Sequence, residues 1–311
     1  MRIAVVGAGG FVGRPLVEQF VAEGHVVVPM VRSPQGLANE RVIDDIVSAD
    51  WPSLLSGVDA VVHLAARVHM MHDTAEDPMS EFRRVNTAGT LALAEAAANV
   101  GVKRFIFLST IKVNGEATLP DQPFRSTDLP QASDPYGISK QEAEAALFEV
   151  ARKRDMEVTV IRPPLIYGPG VKGNLRSLIK AVRSGIPLPL GGISENRRSL
   201  VGIDNLISLI GVALTHPGAA NATFLVSDGE DVSTTGLLKL LAEAMGKKPR
   251  LLPLPTGVLS LIAGLAGKKS AVDRLVGNLQ VDISDSREKL GWTPPVSLRA
   301  GLRSAVEDRA I

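Results

Sequence analysis

No cysteine occurs among the 311 residues. That excludes disulfides, thiolate metal sites and a cysteine nucleophile, and it suits a reducing compartment. Excess charge is missing too, since 34 Lys and Arg face 33 Asp and Glu. No broad field invites nucleic acid or an anionic membrane, so an anionic ligand must be held by a few placed groups. Long apolar runs are also lacking. The longest, Thr256 to Ala266, is about half of the roughly 20 residues a bilayer-spanning helix needs. The opening MRIAVVGAGG reaches a glycine loop after one Arg and a short apolar run, unlike a secretory leader. A soluble, cytoplasmic protein is expected.

What is present is an ordinary globular composition, 45% apolar and 22% charged, on a chain long enough for one large domain with a smaller partner. The first half alternates β-rich runs with helical patterns, as in a parallel sheet covered by helices. Ile3–Val6, Val26–Val31, Ala60–Leu64, Arg104–Leu108 and Val158–Ile161 are fully apolar or nearly so, which predicts strands buried on both faces. Between them, Met79–Val100 fits a 3.6-residue period loosely, and Asp134–Lys153 also reads as helix. From about Pro163 to Gly202 glycine and proline dominate, so regular elements there must be short. A helix is expected over Asp204–Leu214, a strand at Thr223–Val226 and further helices from about Ser233.

Gly7, Gly10 and Gly13 stand at a G-x-x-G-x-x-G spacing where the first strand ends and a helix begins. Glycine there allows a tight turn, close approach of a pyrophosphate and close helix–strand packing. The helix N-terminus offers free N–H groups and partial positive charge to phosphate. Position after a strand favours dinucleotide binding over a bare turn. An NAD-preferring site usually has an acid at the end of the second strand, but here that stretch reads Val31-Arg32-Ser33. Arg32 could pair with a 2′-phosphate through its planar fork. NADP(H) is favoured, with NAD(H) possible.

Tyr136 and Lys140 are one turn apart at the start of a helix that Ser133 or Asp134 can cap. A free tyrosine titrates near pH ~10. A neighbouring ammonium is expected to lower that value towards the range useful for general acid–base work. Ser109 and Thr110 end the fifth strand, at the edge where open α/β sheets bind ligands. The Thr110 hydroxyl could bond the reacting oxygen alongside the phenol.

Gly7/Gly10/Gly13, Ser109-Thr110 and Tyr136-x-x-x-Lys140, with the later segments IRPPLIYGPG (Ile161–Gly170), RRSLVGIDNL (Arg197–Leu206) and REKLGW (Arg287–Trp292), together resemble the extended short-chain dehydrogenase/reductases. Segments such as AARVH (Ala65–His69) and FLSTIKVNGE (Phe107–Glu116) look most like bacterial UDP-sugar 4-ketoreductases, whose relatives include UDP-glucose 4-epimerases. The resemblance implies that Tyr136 is the acid/base, Lys140 the holder of the nicotinamide ribose and Thr110 the substrate-orienting hydroxyl. Asp45 and Ile46 would edge the adenine, and Leu64, Ala65 and Ala66 would run along the cofactor. Asn86 would support the active site, and Phe11, Val12 and Pro163 would complete the cofactor contacts. For the sugar nucleotide it implies Asn174 and Arg198 at the diphosphate, Arg274 as a second arginine there and Asp282 at the nucleotide ribose; Lys112 and Asn114, in the loop after Thr110, could touch sugar hydroxyls or an N-acetyl group or simply form a turn. Val31 at the usual acidic NAD position and Pro164 where epimerases often carry asparagine depart from the epimerase pattern.

His63, His69 and His72 invite a metal reading, but no cysteine or tight carboxylate set accompanies them, so no metal is expected. His63 is read as strand packing, and His69 and His72 could edge the sugar pocket. Trp292 is read as an anchor for the C-terminal tail. The expected fold is a Rossmann-type doubly wound parallel sheet of about seven strands, with a smaller, discontinuous α/β C-terminal substrate domain. The sheet domain would take residues 1–165, with 199–226 returning to it, and the cap 166–311. The main functional expectation is an NAD(P)H-dependent UDP-4-keto-sugar reductase. A UDP-glucose or UDP-N-acetylglucosamine 4-epimerase is the alternative, and a cofactor-binding regulator without turnover is a third reading. A homodimer is open.

Overall fold

Apolar runs without alternation need covering on both sides, and the chain supplies helices for each face. In a computed structural model, residues 1–68, 77–265 and 269–307 are described. The strands are β1 (Arg2–Val6), β2 (Val26–Val31), β3 (Arg41–Val42), β4 (Ala60–His63), β5 (Arg104–Leu108), β6 (Glu157–Arg162), β7 (Leu165–Tyr167), β8 (Leu200–Gly202) and β9 (Ala222–Leu225). Seven of them form one sheet in the order β3-β2-β1-β4-β5-β6-β9. Every neighbouring pair in it is parallel. This is the doubly wound Rossmann-type fold. Each strand expected from an apolar run is present within one residue at either end.

Alternate residues of one strand feed two cores. Ile3 and Val5 of β1 join Leu16, Phe20, Leu206 and Ile210 on one face. Ala4 and Val6 join Trp51, Leu93, Phe105, Phe107 and Leu147 on the other. Strand order reverses between β1 and β4, which opens a crevice at the carboxyl ends of the strands. After β6 the chain leaves the sheet for the short parallel pair β7–β8. It then returns through the helix Ile203–Thr215 and β9. A separate core of Tyr167, Leu175, Ile179, Leu237, Leu241, Leu298 and Leu302 joins β7–β8 to the helices Gly173–Ser184, Thr234–Ala244 and Leu298–Glu307.

Two details differ from the expectations. Met79–Val100 is not one continuous α-helix: α-helical Pro78–Phe82 and Gly89–Asn99 flank a wider π-turn at Arg83–Ala88. Such turns insert an extra residue per turn and swing a side chain off the helical period, and here the buried one is Asn86. The two-residue β3 and the β7–β8 pair were not foreseen, being too short to show periodicity.

Candidate active site

The glycine loop is built by contacts that exclude a side chain. Gly7 has φ of 92°, and a Cβ there would lie 2.7 Å from the Ala65 backbone nitrogen. A Cβ on Gly13 would meet Gly7 O at 2.2 Å, so the helix Gly13–Ala22 presses against the strand end only with glycine at that position. No side chain caps that helix; Arg14 N bonds Gly10 O and Pro15 has no N–H, which leaves the Gly13 N–H of its first turn for a ligand. Beside it lies a cleft of about 460 Å³ lined by Gly7, Gly9, Gly10, Arg32, Asp45, Ile46, Leu64, Ala65, Ala66 and Arg84, among others. A glycine cradle, an uncapped helix N-terminus and an apolar edge fit a dinucleotide.

The cleft brings together Gly7, Gly10, Arg32, Asp45, Ile46, Leu64, Ala65 and Ala66, which the motifs place at the cofactor. Phe11, Val12 and Gly13 follow on the same loop and helix start, but do not line it. Arg32 is exposed next to buried Val31. Asp45 accepts from Val47 N at 2.7 Å and pairs with Arg84 at 2.8 Å. Those contacts, the Val47 N–H foremost, hold its carboxyl below the usual range. The sequence reading did not anticipate Arg84, since its place on the cleft depends on the π-turn.

Tyr136 and Lys140 lie on the helix Pro135–Lys153. Asp134 caps it, accepting from Gly137 N at 2.6 Å, with Pro135 in the first turn. Asn86 ties down that turn: its Nδ2 donates to Ser139 Oγ at 2.9 Å and to Arg67 O at 3.0 Å, and its Oδ1 accepts from Arg67 N. Thr110 is extended at the end of β5, and its hydroxyl lies close enough to the Tyr136 phenol to favour the phenolate. Pro163 O accepts from Ile111 N at 2.9 Å, so the ends of β5 and β6 are held side by side. Lys140 is buried, its Nζ 3.7 Å from the centre of the Phe107 ring.

The expected electrostatics need correction. Tyr136 is not lowered by Lys140; burial, then the Asp134 carboxylate, push it up to about 12, while the Thr110 hydroxyl works the other way. Lys140 is the group pulled towards neutrality, to about 7, by burial, with the Glu144 carboxylate opposing. A phenol and an amine taken out of water both favour their neutral forms. His63, fully buried and 3.0 Å from Thr90 Oγ1, is driven down to about 3 by burial and by Lys140. It packs between Phe105 and Phe107.

On the substrate side the residues are more dispersed. Lys112 is paired with Asp134 and Glu116, beside the site but committed to carboxylates. Arg198 donates to the main-chain oxygens of Arg274 (2.7 Å) and Gly277 (3.0 Å), and burial lowers its guanidinium. Asn174 is exposed at the start of the helix Gly173–Ser184. Asp282 accepts from Ser284 N at 2.8 Å and faces Arg125 at 3.7 Å. Only Arg198 and Arg274 meet among these contacts. His69 and His72 lie outside the described residues. Trp292 is buried and donates to Ser208 Oγ at 3.1 Å. Among the described residues no helix is long and apolar enough to cross a membrane, and no group of three or more His, Asp or Glu could hold a metal ion.

Comparison with known proteins agrees with this geometry. The model of the NAD dependent epimerase/dehydratase family matches residues 3–226. A UDP-glucose 4-epimerase of Vibrio cholerae is 47% identical over 310 residues, covering 98% of this chain and 94% of that protein. The solved UDP-glucose 4-epimerase of Thermotoga maritima with UDP-glucose superposes with a TM-score of 0.78 at 27% identity, over 99% of this chain and 98% of that one. A complex of MoeE5 with UDP-glucose and NAD gives 0.79 at 25% identity, over 99% and 98%.

Proposed function

Because the chain belongs to the NAD dependent epimerase/dehydratase family and is an NAD-dependent enzyme of the extended short-chain dehydrogenase type, we propose that it is a UDP-hexose 4-epimerase acting on UDP-glucose or its N-acetylamino counterpart. The observation that carries this is the 47% identity to a UDP-glucose 4-epimerase along 98% of the chain. It favours epimerisation over the one-way 4-keto reduction that the sequence motifs suggested first. In this reading residues 1–165, with 199–226 returning, carry the cofactor, and the rest of 166–311 caps the sugar nucleotide.

A bound dinucleotide would supply the hydride acceptor and donor. The chain's own residues bind, orient and move the proton. Gly7, Gly10 and the helix start at Gly13 would receive the pyrophosphate, and Asp45 and Ile46 would edge the adenine. Lys140, fixed by burial a turn from Tyr136, would hold the nicotinamide ribose. Tyr136, a neutral phenol, donates its proton to a 4-keto oxygen on the sugar. In the opposite half-reaction it must accept the 4-hydroxyl proton, and Thr110 is the group that favours the phenolate this requires. Thr110 also orients the reacting oxygen. Arg198 and Asn174 would face the diphosphate, with Arg274 beside them and Asp282 at the nucleotide ribose. Purified protein given UDP-glucose and no added cofactor should form UDP-galactose. Turnover of a 4-keto sugar only, with one NADPH consumed per product, would refute the epimerase reading.

One observation favours the reductase: β2 ends in Val31 and is followed at the cleft by Arg32, without a carboxylate for the ribose hydroxyl. If Arg32 meets a 2′-phosphate, Arg32→Ala weakens NADPH binding more than NADH binding in fluorescence titrations. Equal weakening would make Arg32 a surface residue.

A further inference from the structure

Behind the reacting groups lies a buried ion pair that the chemistry above does not use. Glu144 and Arg162 have side chains 5% and 6% exposed. Arg162 Nε lies 3.0 Å and 3.2 Å from the two carboxylate oxygens, and its Nη2 lies 2.5 Å from Oε2. The Ser109 hydroxyl also donates to Glu144 Oε1. The remaining arm of the guanidinium, Nη1, donates to Asn114 Oδ1 at 2.9 Å, and Asn114 Nδ2 donates to Arg125 O at 2.8 Å.

The placement of these residues is specific. Glu144 follows Lys140 by one helical turn, as Lys140 follows Tyr136, so the three share one face. Ser109 immediately precedes Thr110, and Asn114 closes the short turn that Thr110 begins. Arg162 immediately precedes Pro163, whose oxygen holds Ile111 N. The pair therefore joins the catalytic helix, the ends of β5 and β6 and the loop carrying Lys112. Burying two charges recovers little stability, and an apolar pair of similar volume commonly does as well. Its fork geometry, by contrast, fixes directions that apolar packing leaves loose.

We propose that Glu144 and Arg162, with Ser109 and Asn114, are positioning residues that hold Thr110 and Lys140 in register with Tyr136. The turnover part of this rests on the Tyr136/Lys140 reading above, but the positional part does not.

Two variants test it. Arg162→Lys keeps the charge but cannot serve Glu144 and Asn114 at once. Glu144→Leu with Arg162→Met removes both charges but leaves buried Ser109 and Asn114 each short of a partner, so it is expected to fold and to melt somewhat below the parent. Hydrogen exchange needs no substrate. In both variants, exchange at the amides of Ile111, Val113 and Asn114 should accelerate about tenfold or more, while β1 keeps the parent's protection. With UDP-glucose, kcat should fall about tenfold while KM stays within about twofold. Parent-like exchange at those amides, even acceleration throughout the sheet, or kcat within twofold of the parent would overturn the proposal. If the double variant does not fold, Arg162→Lys alone decides. Tyr136→Phe, measured alongside, separates the two claims: parent-like turnover there would sink the acid/base reading and leave the exchange result standing.

Discussion

The chain has two tyrosines, Tyr167 buried and Tyr136 partly so, and their hydroxyls have opposite surroundings. Tyr136 sits at the carboxyl edge of the sheet, with Thr110 at its hydroxyl and Lys140 one turn away. Tyr167 ends β7, in the core shared with the helices Gly173–Ser184, Thr234–Ala244 and Leu298–Glu307. Its hydroxyl donates to Asp228 Oδ2 at 2.6 Å, and it lies 3.3 Å from Leu298 O. Asp228 in turn accepts from Gly202 N and from Asn205 Nδ2. Burial and the carboxylate push Tyr167 far above the usual phenol range. Burial alone therefore does not make a phenol reactive. A phenol bonded to a carboxylate is locked as a donor, whereas one beside a hydroxyl has no such acceptor holding its proton.

Removing each hydroxyl in turn should separate the two roles. Tyr136→Phe should cut turnover of UDP-glucose by about 10²-fold or more, with cofactor binding nearly intact. Full activity in that variant, measured by product formation, would remove Tyr136 from the mechanism. Tyr167→Phe should do the reverse. It leaves the buried Asp228 carboxyl short of a donor, which costs about 1–3 kcal/mol in denaturant unfolding, and kcat should change little. A large loss of kcat at unchanged stability would give Tyr167 a role at the site. Absorbance near 295 nm sharpens the contrast further. The neutral phenol of Tyr136 should persist until close to pH 12, with Tyr167 titrating only beyond it. Since the folded value exceeds that of a free tyrosine, the linked stability is complete below pH ~10 and fades as pH rises towards 12. A phenolate step near pH 10 in folded protein would contradict the burial of Tyr136.

The same contrast explains what could be read from the sequence. The sheet was legible because its strands are apolar on both faces, a property of each run alone. Tyr136 with Lys140 was legible because their relation lies within one helix. The glycine loop was legible because Gly7, Gly10 and Gly13 sit on one continuous turn. Glu144–Arg162 was only half legible. Glu144 continues the spacing of Tyr136 and Lys140, but its partner is on β6, and no local period points there. Arg84 was hidden because the π-turn shifts which side chains share a face. Asn174, Arg198, Arg274 and Asp282 come from segments far apart in the chain, and glycine- and proline-rich connections rather than periodic elements decide where they lie. The sign of the Tyr136 shift could not be read from spacing at all, since burial sets it and burial is a property of the whole fold.

In the proposed epimerisation Tyr136 exchanges a proton at the sugar's 4-oxygen while hydrogen leaves carbon 4 and returns to it on the same protein. UDP-galactose carrying deuterium at carbon 4, incubated with purified protein and no added cofactor, tests this most directly. The account predicts UDP-glucose with the deuterium retained at carbon 4. Loss of the label to water, or no conversion unless NADPH is supplied in stoichiometric amount, would contradict it.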